Sequence, residues 1–180
     1  MGHSQAEKAQ NRERILAEAA QQIRREGLES VSVGALMKKV GLTHGGFYGH
    51  FESRSALLAE ALERALQEGQ AKVSGSMRFA DLVRGYLSRS HRDARDSGCA
   101  MAALACDVGR ADLASREAMT GYINGFVDDA AAGLDGDRER AMMAVSALVG
   151  ALALSRVIAD PGQSDAFLRT VRDHLSRLEF

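Results

Sequence analysis

Residues 31–62 read VSVGALMKKVGLTHGGFYGHFESRSALLAEAL, and their pattern indicates two short helices joined by a tight turn. Ser32 is placed to cap a short helix that ends at Gly41, and Thr43 is placed to cap another over 44–50. Only three residues, one of them glycine, separate the two helices. This spacing is the helix-turn-helix pattern, in which a short turn joins two helices that cross steeply.

Helices are predicted on both sides of this pattern. Apolar residues recur with the period of one helical face over 10–26 and again over 53–69. The residues that follow the second of these helices read as a break in the packing unit. We place a domain boundary near 68–76 and divide the chain into a helix-turn-helix domain, 1–70, and a second domain, 71–180.

The second domain keeps a helical rhythm throughout. No segment of the chain shows the sustained apolar-polar alternation of a half-buried strand, so the sequence predicts an all-α fold of about nine helices. Asp112, Asp137 and Ser164 are expected N-caps, and Asp-Pro-Gly at 160–162 is an expected stop. The helices predicted in this domain cover 79–94, 98–109, 112–132, 137–159 and 164–178.

Composition limits what this fold can do. With 23 basic and 24 acidic residues among 180, the formal net charge is −1, so any attraction to nucleic acid must come from a local patch. We find no signal peptide pattern, and the longest apolar stretch, 141–154, is shorter than the ~18 residues of a membrane span. Two cysteines exclude a disulfide framework, and we expect a cytoplasmic protein without membrane contact.

The helix-turn-helix region resembles the N-terminal DNA-binding domain of the TetR family of transcriptional regulators. In that family a Gly-hydrophobic-Ser/Thr turn leads into a recognition helix that ends in an aromatic-Tyr-x-His-Phe stretch, and a Leu-Leu pair follows. The resemblance implies a second helical domain that dimerises and usually holds a small molecule. The matching residues are Gly41, Leu42, Thr43, Phe47, Tyr48, His50, Phe51, Leu57 and Leu58.

The resemblance also assigns roles to residues in and around the recognition helix. Tyr48, through its hydroxyl, and His50, through a ring N–H, are expected to contact DNA phosphates, and Arg54 to add a charge-assisted contact. Phe47 and Phe51, four residues apart, are expected to pack in the core instead of stacking on bases. Other basic residues could contact phosphates or simply form a solvated charged face: Lys8, Arg12, Arg14, Lys38 and Lys39.

Base reading depends on few side chains. Family members read bases from the first turns of the recognition helix and from the start of the preceding helix. We hypothesise that Gly45 and Gly46 let the backbone approach DNA closely, and that specificity comes from His44, from Val33 against a thymine methyl and from DNA shape. The alternative is a weakly selective protein that has lost its readers. The predicted DNA-binding residues are Ser32, Val33, Lys39, Thr43, His44, Gly45, Gly46, Tyr48, His50 and Arg54.

The two cysteines offer alternative roles. Cys99 and Cys106 are seven residues apart, about 10.5 Å along a helix, so an intact helix excludes a bond between them. Both could be small buried hydrophobes. The alternative is a redox or electrophile sensor, for which Cys106, beside Asp107 and near Arg110, is the better placed. A metal site with His91 would need ligand spacings that zinc sites do not use, so we expect no metal and no cofactor.

An effector pocket is expected in the second domain, with a mainly apolar lining and Tyr122 as a polar handle. Core packing accounts for the same residues equally well. A small apolar or electrophilic effector is favoured over a charged one, because the segment carries few charges that would be buried. The residues predicted to line the pocket are Met101, Leu104, Cys106, Met119, Tyr122 and Phe126.

The predicted helix over 137–159 is apolar on nearly all sides between Met142 and Val157, so more than one of its faces must be covered. One face can meet its own domain and another a second copy of the chain. The last helix, 164–178, would then complete a four-helix dimer interface. The alternative is that both helices only fill the core of one subunit.

Together these features predict a DNA-binding transcriptional regulator, in its simplest form a dimeric repressor. It would bind a palindromic operator and be released by a small molecule, an oxidant or an electrophile. One alternative is a helical interaction module or a nonspecific DNA binder with reduced sequence readout. An enzyme with His44 or His91 as base and Cys106 as nucleophile finds no support, since no third group orients such a pair.

Overall fold

The computed structural model describes residues 5–70 and 78–177, and every regular element in these two ranges is helical, which confirms the all-α prediction. Two short 3-10 helices, Leu28–Ser30 and His44–Gly49, accompany nine α-helices there. The α-helices are α1 (Gln5–Glu26), α2 (Val33–Lys39), α3 (Arg54–Gln70), α4 (Phe79–Tyr86), α5 (Arg89–Asp93), α6 (Ala100–Val108), α7 (Leu113–Ala132), α8 (Arg138–Val157) and α9 (Pro161–Leu175).

The N-terminal unit is built on the long contact between α1 and α3. On α1 lies α2, and the second 3-10 helix, His44–Gly49, packs on α2. Phe47 is completely buried in this core, Phe51 is 3% exposed, and their rings stack with centroids 5.7 Å apart. The predicted packing role of both phenylalanines is confirmed.

The turn after α2 depends on Gly41. The N–H of Leu42 donates to the Met37 carbonyl at 2.8 Å, and the N–H of Gly41 donates to the Lys38 carbonyl at 3.1 Å. This pair of bonds is the Schellman motif, and it places Gly41 at a φ of +73°. Any residue with a Cβ would be strained there by about 1–2 kcal/mol, so the glycine sets where the chain turns.

The second 3-10 helix was predicted as an α-helix, and this prediction is wrong in type. The N–H of Gly46 donates to the Thr43 carbonyl at 3.0 Å, and the N–H of His50 donates to the Phe47 carbonyl at 2.9 Å. Both bonds span three residues instead of four. Three glycines in so short a segment lower its α-helical propensity, and few α-helical bonds could close, so the tighter turn forms.

Two of the predicted side-chain caps are also wrong. Ser32 and Thr43 have the extended backbone of N-cap residues, but within the described ranges neither hydroxyl accepts a helix N–H. At the second 3-10 helix the reason is plain, because the N–H of Gly46 already donates to the Thr43 carbonyl. Asp112 and Asp137 do cap α7 and α8 through their carboxylates, as predicted.

The predicted helix over 79–94 is broken into two in the structure. Its second part, α5, begins after Ser88, whose hydroxyl accepts from the N–H of His91 at 3.2 Å. The break lets α5 pack against α8. A serine with good capping geometry therefore outweighs the continuous apolar rhythm of the sequence.

The start of α9 differs from the prediction. Asp160 caps it, accepting from the N–H of Gln163 at 2.7 Å, and Pro161 occupies the first helical position. The Asp-Pro-Gly segment therefore begins a helix, since proline suits the first turn and its missing N–H is not needed there. Ser164, an expected cap, is instead buried inside α9, where its hydroxyl donates to the Ser155 carbonyl at 2.7 Å.

The helix α8 is central to residues 78–177, since it packs against α7 and α9 and also touches α4, α5 and α6. At 20 residues it is long and apolar enough to match a membrane span by length and composition, contrary to the expectation from its apolar stretch alone; a core helix passes the same test. Its outer face leaves large apolar side chains exposed: Met142, Met143, Leu154 and Val157.

The two halves of the chain meet through α1 and α3 on one side and α6 and α7 on the other. The domain boundary predicted near 68–76 falls at the end of α3, and most of it, 71–76, lies outside the described residues. Leu178, at the end of the last predicted helix, lies outside them as well.

Candidate DNA-binding surface and effector cavity

The second 3-10 helix presents polar side chains to solvent above its buried phenylalanine. Tyr48 is 67% exposed, and its ring packs edge-on against Phe47 with centroids 5.3 Å apart. This contact orients the tyrosine and leaves most of it accessible. His44 and Gly45 are exposed in the same segment, and His50 is half-buried at its end. These four predicted DNA-binding residues, together with Thr43 and Gly46, thus lie on or beside one short element.

The start of α2 lies against this element. A Cβ atom on Gly34 would lie 3.6 Å from Cδ2 of His44, so the imidazole rests on the backbone of α2. Ser32, which is exposed, and Val33, which is half-buried, come directly before this glycine. The fold therefore brings the predicted DNA-binding residues of the two helices together.

Gly45 and Gly46 have different surroundings. A Cβ on Gly45 would meet no described atom within 4 Å, whereas one on Gly46 would lie 3.4 Å from Oγ1 of Thr43 and 3.8 Å from Cε of Met37. Neither glycine has a positive φ, so backbone conformation explains neither. The open space at Gly45 suits close approach of a partner, while Gly46 suits packing within the chain.

The predicted cationic contacts are engaged inside the chain. The Nε–H of Arg54 donates to the Val31 carbonyl at 2.8 Å, and the same guanidinium pairs with Glu29 at 3.0 Å. Lys39 pairs with Glu18 at 2.5 Å. A phosphate contact from Arg54 or Lys39 stays a prediction, and it requires the side chain to exchange these partners.

The N-terminal arginines are also committed to the fold. Arg12 binds the carboxylate of Glu60 with both distances at or below 2.7 Å. Arg14 donates to the Val40 carbonyl at 2.6 Å, and so satisfies the end of α2. Lys8, in contrast, is exposed and lines a groove beside the second 3-10 helix. Of these basic residues, Lys8 has the simplest path to a phosphate.

A cavity of about 360 Å³ lies where the end of α3 meets α4, α5 and α7. Its volume suits a small organic molecule, and its wall is mostly apolar with a few hydroxyl groups. The wall includes Gly69, Gly85, Tyr86, His91, Cys99 and Tyr122.

Cys99 stands in the wall, 5% exposed, as the residue that precedes α6. Its N–H donates to Nε2 of His91 at 3.0 Å, and the Nδ1–H of His91 donates to the Tyr86 carbonyl at 2.8 Å. Both bonds together require the neutral imidazole with its proton on Nδ1. Since the Nε2 lone pair is occupied, His91 is not arranged to deprotonate a thiol, and the enzyme alternative gains nothing from this pair.

Two tyrosines flank the thiol. The ring of Tyr86 stacks on Phe126 with centroids 5.5 Å apart, and its buried hydroxyl makes no hydrogen bond of ordinary geometry with a described residue. Burial, together with the nearby Cys99 sulfur, raises the pKa of Tyr86 and also that of Tyr122. Both hydroxyls therefore stay protonated at neutral pH, and the Tyr86 hydroxyl is buried beside the Cys99 sulfur.

The profile of the bacterial regulatory proteins of the tetR family matches residues 15–61, from α1 into α3. These residues form the helix-turn-helix DNA-binding domain of that family. The chain is a DNA-binding transcriptional regulator of the helix-turn-helix type, as the turn at Gly41 and the aromatic stretch around Tyr48 led us to expect.

Relatives and solved structures extend this similarity beyond the matched region. Two uncharacterized HTH-type transcriptional regulators from two strains of Mycobacterium tuberculosis are each 28% identical over 186 residues, which cover 91% of this chain and 93% of theirs. The reduced form of E. coli NemR has a TM-score of 0.75 at 21% identity and covers 93% of this chain and 96% of its own. A TetR regulator from Chloroflexus aurantiacus has a TM-score of 0.76 at 20% identity, with 96% and 95% covered. The whole chain therefore has the fold of TetR-family structures.

The cavity has a different lining from the one predicted for an effector pocket. Tyr122 lines it as expected, but Cys106 is exposed elsewhere on α6, and Cys99 takes its place in the wall. The spacing argument failed because Cys99 precedes α6, so a shared helical face does not apply to it. The other predicted lining residues are buried in the core: Met101, Leu104, Met119 and Phe126.

The metal alternative can be compared with the structure directly. Within 5–70 and 78–177, no group of three or more His, Cys, Asp or Glu side chains is placed to hold a metal ion. His91 and Cys99 do meet, but through a main-chain N–H.

The sequence analysis did not identify Tyr86 as a wall residue, because only the break after α4 brings it to the wall.

We expect Tyr86→Phe to leave the free energy of unfolding unchanged or to raise it by about 1 kcal/mol, because it removes a buried hydroxyl that lacks a hydrogen bond of ordinary geometry within the described chain. His91→Ala is the comparison, since it removes the acceptor of the Cys99 N–H and should cost about 1–3 kcal/mol. Urea denaturation measures both. If Tyr86→Phe lowers the free energy of unfolding more than His91→Ala does, the Tyr86 hydroxyl makes a stabilising hydrogen bond and this description of it is wrong.

Proposed function

We propose that this regulator is a homodimeric repressor that binds a palindromic operator and is released when a small molecule occupies the cavity. Residues 1–70 form its DNA-binding domain, and residues 71–180 form its effector-binding and dimerisation domain. The observation that carries the proposal is the exposed apolar face of α8, because a regulator with two recognition helices needs a surface that joins two chains. A cytoplasmic setting follows from this role.

DNA binding is proposed to divide between phosphate contacts and base reading. Tyr48 and His50 hold the backbone, with Lys8 in support, and these contacts fix register without reading sequence. His44, exposed beside the start of α2, donates or accepts at a purine edge in the major groove. The open backbone at Gly45 lets the segment lie close to the groove floor.

Other predicted contacts complete this surface. Ser32 and Thr43 keep their hydroxyls available, since neither caps a helix in the described chain, and both residues are exposed. Lys39 and Arg54 join the phosphate contacts if DNA replaces their carboxylate partners. In a dimer the two surfaces enter successive major grooves, about 34 Å or somewhat more apart.

Dimerisation is proposed through α8 and α9. The outer stripe of α8 exposes 74% of Met143, 55% of Leu154 and 79% of Val157, with the small residue Gly150 between them. Burial of each large apolar side chain contributes about 1.5–3 kcal/mol, and a glycine allows two helices to approach closely. A second copy of the chain covers this stripe with the same stripe, the usual arrangement about a two-fold axis.

The effector is proposed to be small and mostly apolar, with one group that accepts a hydrogen bond from Tyr86. The wall supports this class because it is mostly apolar, and its polar groups are hydroxyls, a thiol, the His91 imidazole and one carboxylate, Asp81, which is already paired with Arg84. An electrophile that adds to Cys99 belongs to the same class of occupant, and Cys99 replaces Cys106 as the proposed sensor thiol. An effector of either kind shifts the dimer toward a state in which the two DNA-binding surfaces no longer have the spacing that successive major grooves require.

The readout roles predict different effects for His44→Ala and Tyr48→Phe. His44→Ala should lose about 1–3 kcal/mol of preference at one base position, because it removes a base contact. Tyr48→Phe should weaken binding to both duplexes by about 1 kcal/mol, because it removes a phosphate contact that does not depend on sequence. Fluorescence anisotropy measures both variants on an operator selected from a random duplex library and on a scrambled duplex, at two salt concentrations. Equal losses on both duplexes for His44→Ala would exclude it as a reader.

The dimer interface is tested by the double substitution Met143→Asp and Val157→Asp. Two charges placed in an apolar interface should convert the protein to a folded monomer in sedimentation velocity. Leu113→Asp is the matched control, since this residue is 62% exposed at the start of α7, away from the stripe, and its variant should remain dimeric. If the double variant sediments as the wild type does, the α8 interface is wrong.

A further inference from the structure

The segment that carries Cys99 is fastened to the N-terminal half at two points, of which Arg24 is the first. Its side chain, near the end of α1, is 2% exposed. The Nε–H donates to the Asp96 carbonyl at 2.6 Å, and Nη2 pairs with Glu68 at 2.8 Å. Since Asp96 stands three residues before Cys99, the buried guanidinium holds the approach to α6 against α1.

The second point is Asp107, in the last turn of α6. Its Oδ2 accepts from the N–H of Leu28 at 3.1 Å and so caps the first 3-10 helix, Leu28–Ser30, across 79 positions of sequence. A Cβ on Gly27 would lie 2.7 Å from this oxygen, and Gly27 has a φ of +92°. A side chain at position 27 would therefore collide with the Asp107 carboxylate, and glycine leaves the space that this carboxylate occupies.

We name these two contacts, Arg24 with Asp96 and Asp107 with Leu28, the α6 clamp. Between them α6 has only nine residues, about 13 Å, which is short enough to move as one rigid body. Its N-cap residue, Cys99, is part of the cavity wall. A molecule that displaces this wall must therefore move α6 against the clamp.

From Leu28 the contacts continue toward the recognition segment, which is the second 3-10 helix, His44–Gly49. Arg54, the first residue of α3, donates to the Leu28 carbonyl at 3.4 Å and to the Glu29 carbonyl at 3.2 Å. The first 3-10 helix is thus held by Asp107 on one side and by Arg54 on the other. Arg54 follows the second 3-10 helix by five residues, so a shift of Leu28–Ser30 reaches the base of the recognition segment.

We propose that Arg24 and Asp107 are positioning residues that transmit occupancy of the cavity to the DNA-binding residues through the α6 clamp. This inference rests on the proposed function, since it presupposes an operator and an effector. The clamp separates two states because displacement of α6 removes a hydrogen bond from a buried guanidinium, which costs more than an exposed one. A state difference of this kind is what an effector needs to shift a population.

The competing route is α3 itself. This helix runs without interruption from Arg54 to Gly69 in the cavity wall, where a Cβ would lie 2.6 Å from the Tyr122 hydroxyl. A molecule that moves Tyr122 could push directly on the end of α3. An experiment must therefore cut the clamp and leave α3 intact.

The experiment fills the cavity of the full chain in two ways. In the Cys106→Ser protein, N-ethylmaleimide can add only to Cys99: the sulfur bonds to one alkene carbon, and the thiol proton ends on the other. Mass spectrometry counts the additions. Gly85→Phe is the second occupant and needs no reaction, since Gly85 lies at the exposed rim of the cavity and a Cβ there meets no described atom within 4 Å, which leaves the phenyl ring room to turn into the cavity. The measured quantity is the ratio of operator dissociation constants with the cavity filled and empty.

We expect a ratio of about tenfold or more with the clamp intact, as is usual for coupled sites, and below about threefold when Asp107→Ala is added. Asp107→Asn keeps an acceptor oxygen and should restore most of the ratio. The matched control is Asp112→Ala, which removes a carboxylate that caps only its own helix at Ser115 and should preserve the ratio. Filling the cavity should also speed amide hydrogen exchange at Leu28–Ser30.

Each other outcome bears on the clamp. An equal ratio in Asp107→Ala and Asp112→Ala would overturn it, leaving α3 as the route and the proposed function intact. A filled cavity that changes neither operator affinity nor exchange at Leu28–Ser30 would also overturn it. If no operator is bound at all, the proposed function fails, and exchange still decides: acceleration at Leu28–Ser30 supports the clamp, and no change contradicts it.

Discussion

The burial of Phe47 is the constraint on which the DNA-facing surface depends. A six-residue 3-10 helix with three glycines has little stability of its own, whereas burial of a phenylalanine side chain contributes about 1.5–3 kcal/mol. Phe51 stacks on this ring, and the guanidinium of Arg12 lies 4.7 Å from the centre of Phe51. Burial of these rings therefore stabilises the second 3-10 helix, and Tyr48 keeps a defined position although few backbone hydrogen bonds support the helix.

The charges of this chain serve the fold before they serve a ligand. The formal net charge is −1, and the arginines near the DNA-facing end bind carbonyls and carboxylates of their own chain. One of them, Arg24, is buried and joins the two halves. Attraction to DNA then comes from few groups, so this regulator should depend less on counterion release and more on contacts at the bases than a strongly basic protein would.

The parts of the fold that depend on local chemistry could be predicted from sequence. The turn at Gly41 follows from a residue that tolerates a left-handed backbone, and the starts of α7 and α8 follow from Asp112 and Asp137. The burial of Phe47 follows from spacing alone. The turn and the two helix starts depend on interactions within a few residues.

The parts that depend on contacts between distant segments could not be predicted. Nothing in the helical rhythm of 79–94 shows that Ser88 interrupts it, and without that break Tyr86 and His91 do not meet Cys99. The choice of Cys106 over Cys99 assumed one continuous helix, while Cys99 in fact precedes it. For the same reason the contact of Asp107 with Leu28 has no sequence signal, since 79 positions separate the partners.

In this protein a glycine-rich 3-10 helix, anchored by one buried phenylalanine, is proposed to read DNA sequence. The most direct test is the ratio of dissociation constants for a selected operator and a scrambled duplex of equal length, at one physiological salt concentration. If the helix reads sequence, the ratio should be about 1,000 or more, the range of specific regulators. A ratio near one, with both affinities falling equally steeply as salt rises, would contradict it and identify a nonspecific binder instead.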